Sequence, residues 1–358
     1  MSNFTLPSTK TETMMNTTPL DEETTTMRAI VNDTYGEAGD VLRLDEIPRP
    51  EIGDDEVLLR VHAAGLDRGV WHLMAGLPFP IRLAGYGLRA PKNPVRGREV
   101  AGRVEAVGKN VTTMAVGDEV FGAAEGSFAE YVRARADKLA PKPARVGFRE
   151  AAASTLSAMT ALQAVRDHGR VESGQHVLVI GASGGVGSFA VQIAKAYGAE
   201  VTAVCSTDKV DLVRSIGADH VIDYKKEDID AGGQRYDVIL DIAGNRTLKQ
   251  LRRALTPRGT LVITGGENGG RWIGGNDRQL RAVLLSPFVG QKLRTFICSE
   301  KRADLIALSE LIESGQVTPV IDKTYPLSEA ADAIQYMQDG HARGKVVIDV
   351  NVDVDGGA

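Results

Sequence analysis

From Met27 to about Leu139, apolar residues occur in short runs that glycine and proline interrupt. Apolar and polar positions alternate within these runs, which is the pattern of strands that bury one face. Many short strands with turn residues between them are typical of an antiparallel barrel. The predicted strands lie within residues 28–31, 57–61, 100–108, 117–122 and 128–132. We therefore expect this part of the chain to be mostly β.

The pattern changes near Ala151, where a segment rich in Ala, Leu and Met predicts a helix through Arg166. Beyond it, apolar runs alternate with amphipathic segments, as in a doubly wound sheet whose parallel strands are buried on both faces. The predicted strands are Val177–Ile180, Val201–Cys205, His220–Ile222, Asp237–Asp241, Thr260–Thr264 and Arg294–Cys298. The predicted helices are Phe189–Tyr197, one ending at Gly217, Leu248–Leu255 and, before a final strand Val346–Ile348, Ser328–Gln338.

These patterns predict an α/β protein of two domains, for which 358 residues are sufficient. Residues 1–26 are rich in threonine and lack both the apolar core of a signal peptide and the arginines of a transit peptide. We expect them to be a disordered leader. Residues 27–150 form the barrel-like region and residues 151–315 the doubly wound region, whereas residues 316–358 are mixed.

Charge and cysteine content restrict the class of protein. The formal charge is −5 without a long basic block, so nucleic acid is not favoured as a partner. No run approaches the ~18 apolar residues of a membrane span, and we expect a soluble protein that does not bind membranes. Two cysteines fit a reducing cytoplasm, and they cannot make a four-cysteine zinc site.

The strongest chemical signal is a glycine-rich turn between the strand that ends at Ile180 and the helix that includes Phe189. In this context the pattern predicts dinucleotide binding. Glycines allow a tight turn, close approach of backbone N–H groups to a pyrophosphate, and close packing of the helix on the strand. The alternative is a purely structural turn. The residues assigned to the cofactor are Ser183, Gly184, Gly185, Val186 and Gly187.

The end of the second strand indicates which cofactor binds. A site for NAD normally has an acidic residue there, which holds the ribose 2′-hydroxyl. Here the position is Cys205, followed by Ser206 and, three residues later, Lys209. A hydroxyl and an ammonium can hold a 2′-phosphate, so NADPH is the predicted cofactor. Asp208 argues against this, unless it caps the helix that begins near Lys209.

Several motifs together resemble the medium-chain dehydrogenase/reductase superfamily, and within it the zinc-free quinone oxidoreductase branch. The resemblance extends over about Met27 to Val350, and its most specific segments are residues 182–187, 199–206, 217–224, 241–244 and 344–348. It implies that residues 27–150 and 316–358 together form a catalytic barrel like chaperonin-10, and that residues 151–315 form a Rossmann domain.

The resemblance also implies further contacts with NADPH. Lys209 and Tyr224 match positions that contact the adenosine phosphate of the cofactor. The remaining positions assigned to the cofactor are Gly244, Gly265, Phe296, Cys298 and Lys345. Gly265 begins a glycine-rich segment through Gly275, which we expect to be a loop at the carboxyl edge of the sheet.

Zinc-dependent members of the superfamily have a cysteine and a histidine ligand at two positions of the barrel. This chain has Asp67 and Arg98 there, so a catalytic zinc ion would lack its usual ligands. We therefore expect no metal. Glu99 follows Arg98, and an ion pair between the two is the simplest expectation.

Without a metal, the chemistry best supported is hydride transfer to a quinone or an enone, which accepts hydride unaided. The resemblance places Asp67 and Thr160 beside the nicotinamide ring. Asp67 can also be the N-cap of a helix through His72. His72 and Tyr86 are candidate proton donors, although a lone His or Tyr in such a segment is more often a packed or surface side chain.

The predicted function is zinc-independent, NADPH-dependent reduction of a quinone or an α,β-unsaturated carbonyl compound. One alternative is an alcohol or aldehyde oxidoreductase that kept the fold and lost the metal. Another is a protein that binds NADPH as a redox sensor without turnover. The apolar strand Arg294–Cys298 would form the edge of the sheet, and its unpaired backbone groups predict a homodimer. A monomer with this edge covered is the alternative.

Overall fold

Three β-sheets and eleven α-helices are present in residues 25–266 and 270–350, the part of the chain that this computed structural model describes. The strands are β1 Thr26–Val31, β2 Arg43–Pro48, β3 Glu56–Leu66, β4 Glu99–Val107, β5 Glu119–Ala123, β6 Tyr131–Arg135, β7 Leu139–Pro141, β8 His176–Ile180, β9 Glu200–Cys205, β10 His220–Asp223, β11 Tyr236–Asp241, β12 Leu255–Ile263, β13 Lys292–Thr295, β14 Ile321–Pro326 and β15 Lys345–Asp349.

The α-helices are short, and none of those described is long and apolar enough to cross a membrane. They are α1 Ala38–Val41, α2 Arg68–Ala75, α3 Phe148–Ala153, α4 Leu156–Leu162, α5 Gly185–Ala196, α6 Val210–Ser215, α7 Leu248–Ala254, α8 Gly270–Ile273, α9 Asn276–Leu285, α10 Arg302–Glu313 and α11 Ala330–Gln338. Residues 82–86 and 163–169 form π-helical turns, and residues 136–138, 207–209, 286–288 and 327–329 form 3₁₀ turns.

The barrel sheet has the strand order β14-β15-β3-β4-β5-β7, with β6 also paired to β3. All its pairs are antiparallel except β14 with β15. The long strand β3 alternates as the sequence predicts, with Val57, Leu59 and Val61 buried in the barrel core. The C-terminal strand β15 pairs with β3, so residues near the end of the chain complete the barrel.

The second large sheet is parallel throughout, with the order β10-β9-β8-β11-β12-β13. Strand β8 lies near its centre, and its successive residues point to opposite faces. Val177 and Val179 belong to one apolar cluster and Leu178 and Ile180 to another. Burial on both faces explains the continuous apolar runs. The predicted fold class, a barrel with a doubly wound Rossmann domain, is confirmed.

The helix predicted from Ala151 to Arg166 is wrong as a single element. It is divided into α3 and α4 because Thr155 takes a non-helical conformation. The Ser154 hydroxyl donates to the Glu150 carbonyl at 2.7 Å, and the Thr155 hydroxyl donates to that of Ala152 at 3.2 Å. Serine and threonine hydroxyls compete in this way with regular helix geometry.

The last parallel strand is shorter than predicted. β13 ends at Thr295, and the next residues leave the sheet. Phe296 stacks on the ring of His168, with ring centroids 4.1 Å apart, and the Ile297 side chain is exposed. The apolar character of this run therefore reflects packing after the strand. The sheet order does place β13 at an edge.

Smaller differences concern the ends of elements. The predicted leader of residues 1–26 is wrong at its end, since Thr26 already pairs with Pro48 in β1. The run 128–132 becomes a strand only at Tyr131, α5 begins at Gly185, and Leu255 belongs to β12. Part of the loop predicted over residues 265–275 is helix α8. Residues 1–24, 267–269 and 351–358 lie outside the described residues.

Candidate active site

The carboxyl ends of the six parallel strands meet at one edge, and most of the predicted cofactor residues follow them directly. Ligands bind at this edge in doubly wound sheets, because loops and helix amino ends converge there. Segment 183–187 follows β8, Ser206 and Lys209 follow β9, Tyr224 follows β10, Gly244 follows β11, Gly265 follows β12, and Phe296 and Cys298 follow β13.

The glycine turn after β8 is built so tightly that a side chain cannot be added at Gly187. A Cβ atom there would lie 2.0 Å from the carbonyl oxygen of Gly181, which itself has φ of +87°. Gly184 has open space by comparison, with its nearest neighbour at 3.6 Å from a Cβ atom. Helix α5 starts at Gly185, so its free backbone N–H groups face the edge where a pyrophosphate would lie. The turn therefore fits a dinucleotide.

A groove of about 660 Å³ lies beyond β9 and β10, where the adenosine end of a dinucleotide would reach. Ser206, Lys209 and Tyr224 line it together with Lys225 and Arg343. The Lys209 ammonium donates to the carbonyl oxygens of Ala342 at 2.9 Å and Gly340 at 3.2 Å. This leaves one of its three N–H donors for a phosphate.

Asp208 does not cap the following helix, contrary to the alternative considered for it. Helix α6 begins at Val210 without a side-chain cap, and the Asp208 carboxylate accepts from the Ser206 hydroxyl at 2.6 Å. That hydrogen bond lowers the pKa of Asp208. The same carboxylate lies 3.7 Å from Arg343, so a cation partly balances its charge.

A second cluster brings Asp67, Tyr86, Thr160 and Cys298 around Arg98. Asp67 is the N-cap of α2, as predicted, and accepts from the Val70 N–H at 3.2 Å. The carboxylates of Asp67 and Glu300 act electrostatically on the Arg98 guanidinium, and Tyr86 lies near it. The Thr160 hydroxyl donates to the Leu156 carbonyl at 2.7 Å and is also hydrogen-bonded to the Cys298 thiol. Burial raises the pKa of that thiol to about 11, so Cys298 is not a thiolate at neutral pH.

The expected ion pair between Arg98 and Glu99 is wrong. Arg98 donates from Nη2 to Glu300 at 2.7 Å, and Lys138 donates to the other oxygen of the same carboxylate at 2.6 Å. Consecutive residues of a strand point to opposite sides, and β4 begins here. Arg98 and Glu99 therefore have different partners.

Glu99 is instead paired with Lys345 inside the protein, where the two side chains are 0% and 1% exposed. The Lys345 ammonium also donates to the Leu66 carbonyl at 2.8 Å and the Ser157 hydroxyl at 3.1 Å. Burial raises the pKa of Glu99 and Lys345 opposes that shift. All three donors of Lys345 are used within the protein, which differs from the predicted direct contact with the cofactor. Lys345 supports the turn from behind, since its Cδ lies 3.0 Å from a Cβ placed on Gly185.

Two other predicted residues lie apart from the cluster. His72 Nδ1 is 2.7 Å from the Leu77 carbonyl, and its ring lies edge-on to Trp71 at 4.9 Å, which fits the alternative of a packed side chain. Phe296 is stacked on His168. Tyr86, in contrast, lines a cavity of about 560 Å³ together with Arg98 and Val70.

Comparison with known proteins identifies the family of the chain. Residues 53–144 match the family model of the alcohol dehydrogenase GroES-like domain, and residues 216–348 match one described as zinc-binding dehydrogenase. The chain is 34% identical over 369 residues to "NAD(P)H oxidoreductase RTN4IP1, mitochondrial" of Bos taurus, covering 91% of this chain and 90% of that protein. The chain belongs to the quinone oxidoreductase branch of the medium-chain dehydrogenase/reductase superfamily.

A second relative and a solved structure each match about nine-tenths of this chain. "NADPH-dependent alkenal/one oxidoreductase, chloroplastic" of Arabidopsis thaliana is 35% identical over 344 residues, covering 90% of this chain and 79% of that protein. The solved structure of the quinone oxidoreductase from Coxiella burnetii superimposes with a TM-score of 0.78 at 27% identity, covering 91% of this chain and 99% of that one. The predicted family and the prediction of an oxidoreductase are confirmed.

One of the matched family models is described as zinc-binding, which raises the question of whether this chain has residues that could bind zinc. Asp67 and Arg98 occupy the two positions that the sequence comparison assigned to zinc ligands. Within the described ranges, no three His, Cys, Asp or Glu side chains are grouped closely enough to hold a metal ion.

Sequence reasoning missed Glu300, Ser157 and the basic residues Lys225 and Arg343. Glu300 had a signal, because it follows β13 at the carboxyl edge, where charged residues contribute to sites. Ser157 and Arg343 had none, since their partners are more than a hundred residues away in the chain.

Proposed function

We propose that this protein reduces a quinone or an α,β-unsaturated carbonyl compound with NADPH and without a metal ion. The observation that supports this most is that the glycine turn and the groove with Lys209, Lys225 and Arg343 both lie at the carboxyl edge of the parallel sheet. The cluster of Asp67, Thr160 and Arg98 includes Cys298, which follows the last strand of the same sheet. When bound, NADPH supplies a hydride. The glycine turn and the groove bind the cofactor, and Asp67 and Thr160 orient its nicotinamide ring.

Preference for NADPH over NADH rests on the groove. Lys209, Lys225 and Arg343 provide positive charge, and the strand that precedes it ends in neutral Cys205. A 2′-phosphate is favoured by cations and hydroxyl donors and would be repelled by an acid at the end of β9. Asp208 is already bonded to Ser206 and lies near Arg343.

Metal independence rests on Asp67 and Arg98. A guanidinium does not ligate zinc, because it has no lone pair to offer at neutral pH. The Asp67 carboxylate is engaged as a helix cap. Hydride addition to a quinone or an enone does not require a Lewis acid to the extent that reduction of a simple ketone does.

The experiment compares substrates after removal of metals. Protein treated with a strong chelator is mixed with NADPH and either a quinone or an enone, and with NADP⁺ and simple alcohols. We expect oxidation of NADPH by at least one quinone or enone at a rate that the chelator does not change. Reaction with alcohols alone favours the alcohol oxidoreductase, and tight binding of NADPH without turnover favours the redox sensor. Loss of activity that added zinc restores contradicts metal independence.

We further propose that the chain is a cytoplasmic homodimer joined through β13. This strand lies at the edge of the parallel sheet and pairs on one side with β12. An open edge favours pairing with a second copy, and a two-fold dimer is the commonest closed assembly.

A further inference from the structure

Arg98 is held between two carboxylates at the end of the site where the substrate would react. Its carbonyl accepts from the Ala124 N–H at 3.0 Å, which fixes the backbone. A Cβ atom on Gly69 would lie 2.6 Å from Arg98 Nη1 and 2.7 Å from Asp67 Oδ1. The guanidinium and the Asp67 carboxylate therefore both lie against α2, and the absence of a side chain at Gly69 leaves room for them.

Two polar atoms at this place have no partner among the described residues. They are Nε of Arg98 and Oδ2 of Asp67, both buried. A buried donor or acceptor without a hydrogen bond is costly, and such atoms mark sites where a ligand completes the hydrogen bonds. Nε of Arg98 is a charged donor and fits an oxygen atom that carries negative charge, whereas Oδ2 of Asp67 is an acceptor and fits a donor group of the ligand.

The carboxylates of Asp67 and Glu300 lie on either side of the guanidinium and keep it in place. Glu300 accepts from Arg98 and also from Lys138, so its negative charge is shared by two cations. Arg98 lines the cavity of about 560 Å³ together with Tyr86, Val70 and Leu73. That volume is within the range of small-molecule sites, and the lining combines apolar side chains with charged ones such as Arg96, Glu125 and Arg133.

Resting on the proposed function, we propose that Arg98 donates to the carbonyl oxygen of the substrate and stabilises the negative charge that develops there during reduction. In an enone, the hydride forms a C–H bond at the β-carbon and the electrons of the C=C bond move toward the carbonyl oxygen. An enolate results, and a proton from solvent then adds to the α-carbon. The cofactor leaves oxidised. In a quinone, the hydride likewise adds to a ring carbon and the C=C electrons move to the carbonyl oxygen, which gives an enolate. That ring carbon then loses a proton to solvent and the two oxygens take up protons, which yields the hydroquinone.

This assignment gives Arg98 the electrostatic role of the missing metal. A preorganised donor aimed at a developing oxyanion is among the largest contributions to catalysis, because it acts in a site with little water. The geometry also restricts the substrate. Acceptors whose reduction does not place charge on an oxygen would gain nothing from Arg98.

The test uses 4-nitrophenol, whose phenolate oxygen resembles an enolate and whose ionisation is visible by absorbance. It is titrated with pH in the complex of protein and NADP⁺. We expect wild type to lower the pKa of bound 4-nitrophenol, and we expect Arg98→Met to abolish that lowering. The matched control is Arg103→Met, which removes an arginine from β4 that pairs with the exposed Glu119. A bound phenol with an unchanged pKa in wild type, or an equal lowering in Arg98→Met, overturns the inference.

Turnover gives the second readout. Loss of one oxyanion donor costs on the order of 100-fold in kcat, and we expect that loss for enone reduction by Arg98→Met with NADPH affinity retained. If the methionine variant does not fold, Arg98→Lys keeps a cation beside Asp67 and Glu300 but lacks the planar fork, and a loss of about 10-fold is expected. Turnover by either variant within threefold of wild type overturns the inference. Wild type that binds nitrophenolate and reduces no enone or quinone contradicts only the proposed function.

Discussion

Lys345 and Glu99 form an ion pair that water does not reach. Removing two charges from water is expensive, and their attraction repays that cost only because the Lys345 ammonium also bonds to Leu66 and Ser157. The residues come from β15, β3 and β4 of the barrel and from α4 of the Rossmann domain. The pair therefore connects the two domains directly behind the glycine turn.

Breaking this pair should destabilise the protein strongly. Lys345→Met leaves Glu99 buried without a partner and is expected to lower the free energy of unfolding by about 3–5 kcal/mol. Denaturation by urea measures the effect. The double variant Lys345→Met with Glu99→Gln should lose less stability than Lys345→Met alone, because no charged group then stays buried. The exposed pair Lys109 and Asp54 gives the control, since Lys109→Met should leave stability nearly unchanged. A small effect of Lys345→Met would show that water enters the cluster.

Lys209 carries the prediction on cofactor preference. Lys209→Ala should weaken the binding of NADPH by about 1–3 kcal/mol, the range of a charged hydrogen bond, and leave the binding of NADH nearly unaffected. Quenching of protein fluorescence gives both dissociation constants. Lys109→Ala is the matched control, because its ammonium lies on the barrel beside Asp54. Equal weakening of both cofactors would mean that Lys209 supports the groove through Gly340 and Ala342 and does not bind the phosphate.

Among the elements, the turn between β8 and α5 has the least tolerance for change. A Cβ at Gly187 meets backbone atoms of Gly181 and Ala182 at 2.0–2.8 Å, and backbone cannot move away as a flexible side chain can. Gly187→Ala is therefore expected to destabilise the protein by at least about 1–3 kcal/mol. Gly184→Ala places its methyl group at an ordinary van der Waals distance, 3.6 Å from the Gly181 carbonyl oxygen, and should unfold at nearly the wild-type temperature. Calorimetry measures the melting temperatures of the two variants. Equal values would contradict the close packing of Gly187 against the backbone of Gly181 and Ala182.

The elements also show what periodicity can and cannot predict. Strands buried on both faces, such as β8, β9 and β11, are unambiguous because their interiors are almost entirely apolar, with Thr202 in β9 and Asp237 near the start of β11 as the exceptions. The break between α3 and α4 was not predicted, since hydroxyl bonds of Ser154 and Thr155 to local carbonyls leave no trace in an apolar pattern. Phe296 is a similar case. It is apolar because it stacks on the distant His168, but in the sequence it looks like part of an apolar strand.

At the scale of the whole molecule, the sequence predicted the fold and the edge where the cofactor residues gather, because strand order determines both. It could not predict ion pairs between distant segments. Arg98 was matched with its neighbour Glu99, although Glu300 and Lys345 come from segments that only the complete fold brings near. The loop residues of the site can be located because each comes directly after a strand. The ion pairs that position them depend on tertiary packing between distant segments.

Assembly is a prediction at the same scale. Light scattering at micromolar concentration should give twice the chain mass of 38.3 kDa. Leu293→Lys is unsuitable as a probe because that side chain is buried in the core, whereas Ile297 is exposed beyond the end of β13. Ile297→Glu should weaken the dimer by placing charge at the interface and leave the unfolding temperature of the monomer unchanged. A wild-type monomer would contradict pairing through this edge.

The proposed reaction is hydride transfer from NADPH to an acceptor carbon without a metal. The most direct measurement uses NADPH deuterated at the position that transfers, chelated protein and an enone, with the product analysed by NMR and mass spectrometry. We expect one deuterium per product molecule, bonded to the β-carbon. A product without deuterium, or one labelled at the carbonyl carbon and formed only when zinc is present, would contradict it.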